Sequence, residues 1–178
     1  MTGGGPGLME AANRGAREAG GRSVGCNIAL PREQKPNAFL DRWVTCHYFF
    51  VRKVLLFKYS YGFIALPGGV GTIDELFEAF TLIQTGKIRQ FPMILFGSAY
   101  WYPLIDLLHR MVIDGAMAAS DIELLFVTDN VADAIMYLEA NAIDRFALRA
   151  PKPSQWLGES APSPVRQDIG DRAEARSH

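Results

Sequence analysis

The segment Leu66-Pro67-Gly68-Gly69-Val70-Gly71-Thr72-Ile73-Asp74-Glu75 constrains the fold of this chain more than any other. A short apolar run, Tyr61 to Leu66, precedes it and reads as a buried strand. The run Leu76 to Ile83 follows it and reads as a helix, with Leu76, Phe80 and Ile83 on one face and Phe77 beside them. The glycine-rich segment is therefore expected to be a strand-to-helix turn. Gly68, Gly69 and Gly71 let backbone N–H groups approach an anion without interference from a Cβ. The helix behind adds its free N–H groups and the positive end of its dipole, and Thr72 adds a hydroxyl. Such a turn can cradle a phosphate. The same residues also suit a turn that only supports the helix. Asp74 and Glu75 are placed in the first helical turn. A carboxylate beside a bound phosphate is repelled by it, so Glu75 suits handling a ribose hydroxyl or a water better than binding alone.

The chain opens on a second glycine cluster, Thr2-Gly3-Gly4-Gly5-Pro6-Gly7-Leu8-Met9-Glu10. A helix from about Pro6 to Ala19 follows, with Leu8, Met9, Ala12 and Ala16 as its apolar side and Gly20-Gly21 as its stop. This is again a loop feeding a helix N-terminus, fit for a plain turn or for a phosphate. It is not the dinucleotide fingerprint, because the glycine spacing fails after Gly5, and neither loop is a P-loop, because no Gly-Lys-Ser/Thr follows. A loop of this kind normally follows a strand, yet only Met1 and Thr2 stand before it. Either the strand is absent or the sequence starts inside a longer protein.

Between the two loops, Ser23 to Leu30 reads as a strand, Pro31 to Asn37 as a polar loop holding Glu33, and Trp43 to Cys46 as a short extended piece. His47 to Tyr59 reads as a helix that is apolar on more than one side, hence widely buried and in part within a subunit interface. Arg52-Lys53 interrupts that surface and needs an anion: a carboxylate, a ligand phosphate or the reacting sugar. After the central helix, which ends near Gly86, comes a strand from Phe91 to Phe96 closed by Gly97. A helix from Tyr100 to Asp114 follows, with Leu104, Leu107, Leu108 and Met111 inward. Gly115 to Ser120 is a turn and Leu124 to Thr128 a last strand. Asp129 or Asn130 then caps a helix with Val131, Ala134, Ile135 and Leu138 inward. Short apolar strands alternating with helices mean an α/β sandwich with a mainly parallel sheet. Ligands bind at the carboxyl ends of such strands, so both glycine loops are expected to share one crevice.

A length of 178 residues suffices for one domain. It is expected over residues 1–145, with the proline- and charge-rich residues 146–178 as a disordered tail. The net charge of −1, with no basic run interleaved with aromatics, argues against a nucleic-acid partner. No apolar run is long enough for a bilayer and no signal pattern is visible, which makes the cytoplasm the default compartment. Cys26 and Cys46 read as buried reduced thiols, and His47, His109 and His178 are too scattered in sequence to mark a metal site.

Taken together, Thr2 to Asn13, Arg52-Lys53, and Pro67 to Thr72 with Glu75 resemble the lonely-guy (LOG) family, many of whose members carry the older label "lysine decarboxylase-like". The resemblance covers about Thr2 to Leu138. It implies a Rossmann-like, three-layer, usually dimeric enzyme that hydrolyses the N-glycosidic bond of a nucleoside 5′-monophosphate. The substrate would be AMP or a cytokinin riboside monophosphate, and the products free base and ribose 5-phosphate, with neither metal nor cofactor. It implies Arg52 and Glu75 as the catalytic pair and Lys53 as a substrate contact. Gly4, Gly5 and Gly7 of the first loop and Gly68, Gly69, Gly71 and Thr72 of the second would hold the phosphate. Thr81 matches a further contact, and Glu33 a substrate-binding acid at a spacing that differs by one residue. Family members usually carry a strand, a helix and a second strand before the first glycine loop, so an N-terminally truncated version of the fold is expected. A rival reading is a nucleotide or molybdenum-cofactor carrier without catalysis, which would not need the Arg52–Glu75 pair. A pyridoxal-phosphate lysine decarboxylase ranks below both, because no lysine here has a context that marks a cofactor attachment.

Overall fold

The computed structural model of the chain describes residues 1–30, 35–88 and 91–143. Glu33 and the expected C-terminal tail lie outside the described residues. Strands β1 (Val24–Ile28) and β2 (Arg42–Cys46) form one parallel sheet, with Val24 opposite Arg42 and Ile28 opposite Cys46. Strands β3 (Phe63–Ala65), β4 (Met93–Phe96) and β5 (Leu125–Thr128) form a second parallel sheet with β4 in the middle. The helices are α1 (Leu8–Glu18), α2 (Phe49–Lys58), α3 (Val70–Gln84), α4 (Ser98–Ile113), the short α5 (Ala119–Ile122) and α6 (Val131–Leu138), the last running into a π-helical turn over Glu139–Ile143. Every strand pairing among the described residues is parallel, as helical crossovers require. The architecture is a Rossmann-like α/β sandwich.

The strands divide into two sheets, where the apolar pattern suggested one. Thr2 adds a single parallel bridge to β1: its N–H donates to the Val24 carbonyl at 3.0 Å and its carbonyl accepts from the Cys26 N–H at 2.8 Å. The first glycine loop therefore leaves directly from a strand-like residue beside β1.

The main core lies on β4, whose Met93, Ile94 and Leu95 are fully buried. A central parallel strand is covered on both faces, which is why its sequence is a continuous apolar run and not an alternation. Leu76, Ala79 and Phe80 of α3 and Trp101 and Leu108 of α4 complete that core. A smaller cluster joins Cys26, Ile28, Cys46 and Leu56, and both cysteines are buried free thiols as expected. Among the described residues no helix is long and apolar enough to cross a membrane.

Helix faces depart from the sequence pattern in three places. The buried residue of α1 is Asn13, while Leu8 and Ala12 are exposed. On α4 the inward position goes to Trp101, and Leu107 is exposed. On α6 Ala134 is buried, whereas Val131 and Ile135 face outward. On α4 and α6 periodicity alone could not separate the faces, because each is apolar over a wider arc than its neighbours cover; α1 turns Asn13 inward because that amide bonds Thr2 and Ser23. Of the two candidate caps, Asn130 caps α6 by accepting from the Ala132 N–H at 2.8 Å.

Candidate active site

The first glycine loop is held by an amide network. Asn37 Nδ2 donates to the carbonyls of Gly4 (3.2 Å) and Gly5 (3.0 Å) and to Asn13 Oδ1 (3.0 Å), and the Asn37 N–H also reaches the Gly4 carbonyl at 2.9 Å. Buried Asn13 in turn accepts from Thr2 Oγ1 and donates to Ser23 Oγ. Every polar end of this network has a partner, as burial demands. Gly4 adopts φ 75°, and a Cβ there would press on Leu40 at 3.3 Å. Glycine answers both requirements.

The loop meets Arg52 at Gly3, where a Cβ would lie 2.5 Å from Arg52 Nη2 and 2.9 Å from Met9 Sδ. Arg52 projects from α2 and donates through Nε to the Cys26 carbonyl at 3.0 Å. Its Nη1 lies 2.6 Å from Glu75 Oε1, and each of the two side chains is only 15% exposed. Burial pushes the Glu75 carboxyl above its ordinary value, against the pull of the Arg52 guanidinium. A carboxylate of that kind is a better proton acceptor than an exposed one. Lys53 turns to the flank, where its Nζ lies 2.8 Å from both Asp74 and Glu78. Both cations of the pair thus find carboxylates.

The second glycine loop differs from expectation at its helix. α3 begins at Val70 with Gly69 as its N-cap, so Gly71 and Thr72 belong to the first turn and Glu75 to the second. The N–H groups of Thr72 and Ile73 already donate to the Gly69 carbonyl. The first-turn carboxylate argument for Glu75 therefore falls, and its setting comes from Arg52 instead. Gly68 cannot carry a side chain, because its Cβ would collide with Thr72 Oγ1. Beside Gly69 and Gly71 the space is open, which leaves the helix N-terminus approachable. Tyr100, in the first turn of α4, donates its hydroxyl to the Gly68 carbonyl.

Arg52 therefore links the first loop, β1 and α3, and brings Gly3 and Glu75 to one place. Gly7 caps α1 at φ 72° with open space beside it. Thr81 is not brought to this place: six residues of helix put it about 9 Å further along the axis than Glu75 and on another face, where it is exposed. A cavity of about 490 Å³ lies between α2 and α3, lined by Val54, Phe57, Leu82 and Phe91 with Lys58 and Glu78. It contains neither Arg52 nor Glu75 and is separate from the catalytic candidates. Sequence reasoning missed Asn37 and Tyr100 altogether, and quoted Asn13 without a role. Their partners lie 10 to 33 residues away, and no local pattern signals such bonds.

The model of the family described as "Possible lysine decarboxylase" matches residues 9–138. The chain belongs to this family, the LOG family. The LOG-family chain is 32% identical over 129 residues to the cytokinin riboside 5′-monophosphate phosphoribohydrolase of Mycobacterium tuberculosis, covering 71% of this chain and 68% of that one. It is 29% identical over 133 residues to the protein of the same name from Rhodococcoides fascians (72% and 66%). It is 30% identical over 148 residues to cytokinin riboside 5′-monophosphate phosphoribohydrolase LOG5 of Arabidopsis thaliana (78% and 61%). The LOG-family chain thus spans about two thirds of the length of these relatives or slightly less.

Proposed function

We propose that the chain hydrolyses the N-glycosidic bond of a nucleoside 5′-monophosphate, AMP or a cytokinin riboside monophosphate, to free base and ribose 5-phosphate. The observation that carries this reading is the Arg52–Glu75 pair, largely buried, with Arg52 against Gly3 of the first glycine loop and Glu75 on the helix that follows the second. The names of the relatives point the same way. In the reaction, the C1′–N bond breaks with its electron pair leaving on the base, and positive charge grows on the ribose. Glu75 faces that charge and takes a proton from the water whose oxygen attacks C1′. Arg52 stabilises negative charge on the phosphate or the departing base. The loop N–H groups hold the 5′-phosphate, which fixes C1′ relative to Glu75; positioning of this kind supplies a large part of catalysis.

The working unit is proposed as a cytoplasmic homodimer built on residues 1–145. Its support is the surface of α2 and the adjoining β2, where Trp43, Tyr48, Phe49, Phe50 and Val54 are all more than half exposed. Apolar surface on that scale commonly marks an interface, and light scattering at micromolar protein reports the mass directly. The test of the reaction is chromatography of free base released from AMP and from cytokinin riboside monophosphates. Tight nucleotide binding without base release would favour the carrier reading.

A further inference from the structure

We propose that Tyr100 is a positioning residue for the phosphate: its hydroxyl, by holding the Gly68 carbonyl, turns the Gly69 N–H toward the bound 5′-phosphate. The inference rests on the phosphate-turn reading given above. A trans peptide is planar, so the Gly68 carbonyl and the Gly69 N–H point in opposite directions. Fixing one fixes the other. Gly68 and Gly69 carry no side chains that resist rotation of the peptide between them. A flipped peptide would present the carbonyl oxygen to the anion and repel it. A hydrogen bond from outside the turn is the means of selecting the donating orientation.

Tyr100 is well placed for this because three contacts anchor it. Asp129, after β5, accepts from the Ser98 N–H (2.7 Å) and from Ser98 Oγ (2.5 Å), which fixes the start of α4. The Tyr100 ring meets Trp101 edge-on, with centroids 4.9 Å apart, and buried Trp101 is itself held by a 3.2 Å bond from Nε1 to the Phe96 carbonyl. Gly97, at φ 101°, brings α4 against the turn; a Cβ there would touch the Pro67 ring at 3.3 Å. The loops after β4 and β5 thereby support the turn after β3 without contributing a group to Arg52 or Glu75. Tyr102, two residues on and 66% exposed, makes no such bond among the described residues and is the control.

The test compares wild type, Tyr100→Phe and Tyr102→Phe. Loss of one neutral hydrogen bond corresponds to about a three- to tenfold loss of affinity. Calorimetry with ribose 5-phosphate should show that loss for Tyr100→Phe and none for Tyr102→Phe. With AMP as substrate, KM should rise by the same factor, while kcat stays within about twofold. Adenosine binding and melting temperature should match the control. Unchanged ribose 5-phosphate affinity in Tyr100→Phe overturns the positioning role and leaves the phosphate turn standing. An equal loss for adenosine and AMP also overturns it, since the effect would then not act through the phosphate. Wild type that binds neither ribose 5-phosphate nor AMP removes the phosphate-turn reading itself, and the inference with it.

Discussion

Arg52 Nη1 lies 2.6 Å from Glu75 Oε1, and both side chains are mostly withdrawn from water. The same guanidinium donates to the Cys26 carbonyl and packs on Gly3. One arginine therefore joins the Glu75 carboxylate of α3 to β1 and to the first glycine loop.

Glu75→Gln keeps size and hydrogen-bonding capacity and removes the charge. If Glu75 acts in the chemistry, base release from AMP should fall at least about a hundredfold. Calorimetric binding of AMP should hold or tighten, because repulsion from the phosphate is relieved. A purely structural ion pair predicts the reverse: a lower melting temperature with turnover per folded molecule unchanged.

The raised Glu75 carboxyl gives a pH signature. Its ordinary value is 4.5, and burial lifts it in the folded chain. Between that value and the raised one, the folded state binds more protons than the unfolded state, so stability falls as pH rises. Glu75→Gln does not titrate. Its melting temperature relative to wild type should therefore climb across that window and level off above it. The acid limb of kcat/KM, which reports the free enzyme, should likewise lie above pH 4.5.

Gly3→Ala tests the contact between the first loop and the pair. The new methyl would stand 2.5 Å from Arg52 Nη2 and 2.9 Å from Met9 Sδ. Both neighbours end flexible side chains, so the chain should still fold, but the Arg52 guanidinium that pairs with Glu75 must move. Turnover should drop by about tenfold or more, as small misplacements at a reacting centre do, and the drop should exceed any loss of melting temperature. Gly15→Ala, where nothing stands within 4 Å, is the matched control.

Asn37→Asp replaces an amide donor by a carboxylate facing the Gly4 and Gly5 carbonyls and Asn13 Oδ1. Denaturant unfolding should show a loss of about 1–3 kcal/mol, the scale of a polar group left without its partner. Asn37→Ala should lose less, because it removes the donor without adding repulsion.

The strands and the glycine turns were legible because apolar runs and Gly clusters are local signals. β3, β4 and β5 fall within the runs assigned to them. The start of α3 was misplaced by several residues, because Gly69-Val70-Gly71 has poor helix propensity and the helix is begun there by backbone bonds to the Gly69 carbonyl. The carboxylate partners of Lys53 were foreseen only as a class. Asn37 was invisible as a clamp, since an asparagine after a proline in a polar loop reads as an ordinary turn residue. Tyr100 was no more visible, because its partner belongs to a loop 32 residues earlier.

Arg52 and Lys53 are neighbours on α2 and so point about 100° apart around its axis. Arg52 is fastened to Glu75, and Lys53 to Asp74 and Glu78 on the same helix α3. Two pins at different angles stop a rod from rolling. Any roll of α2 that carried Arg52 off Glu75 would also drag Lys53 off its two carboxylates, so a swing of the arginine toward a substrate has to come from its own side-chain torsions, with the helix beneath it stationary.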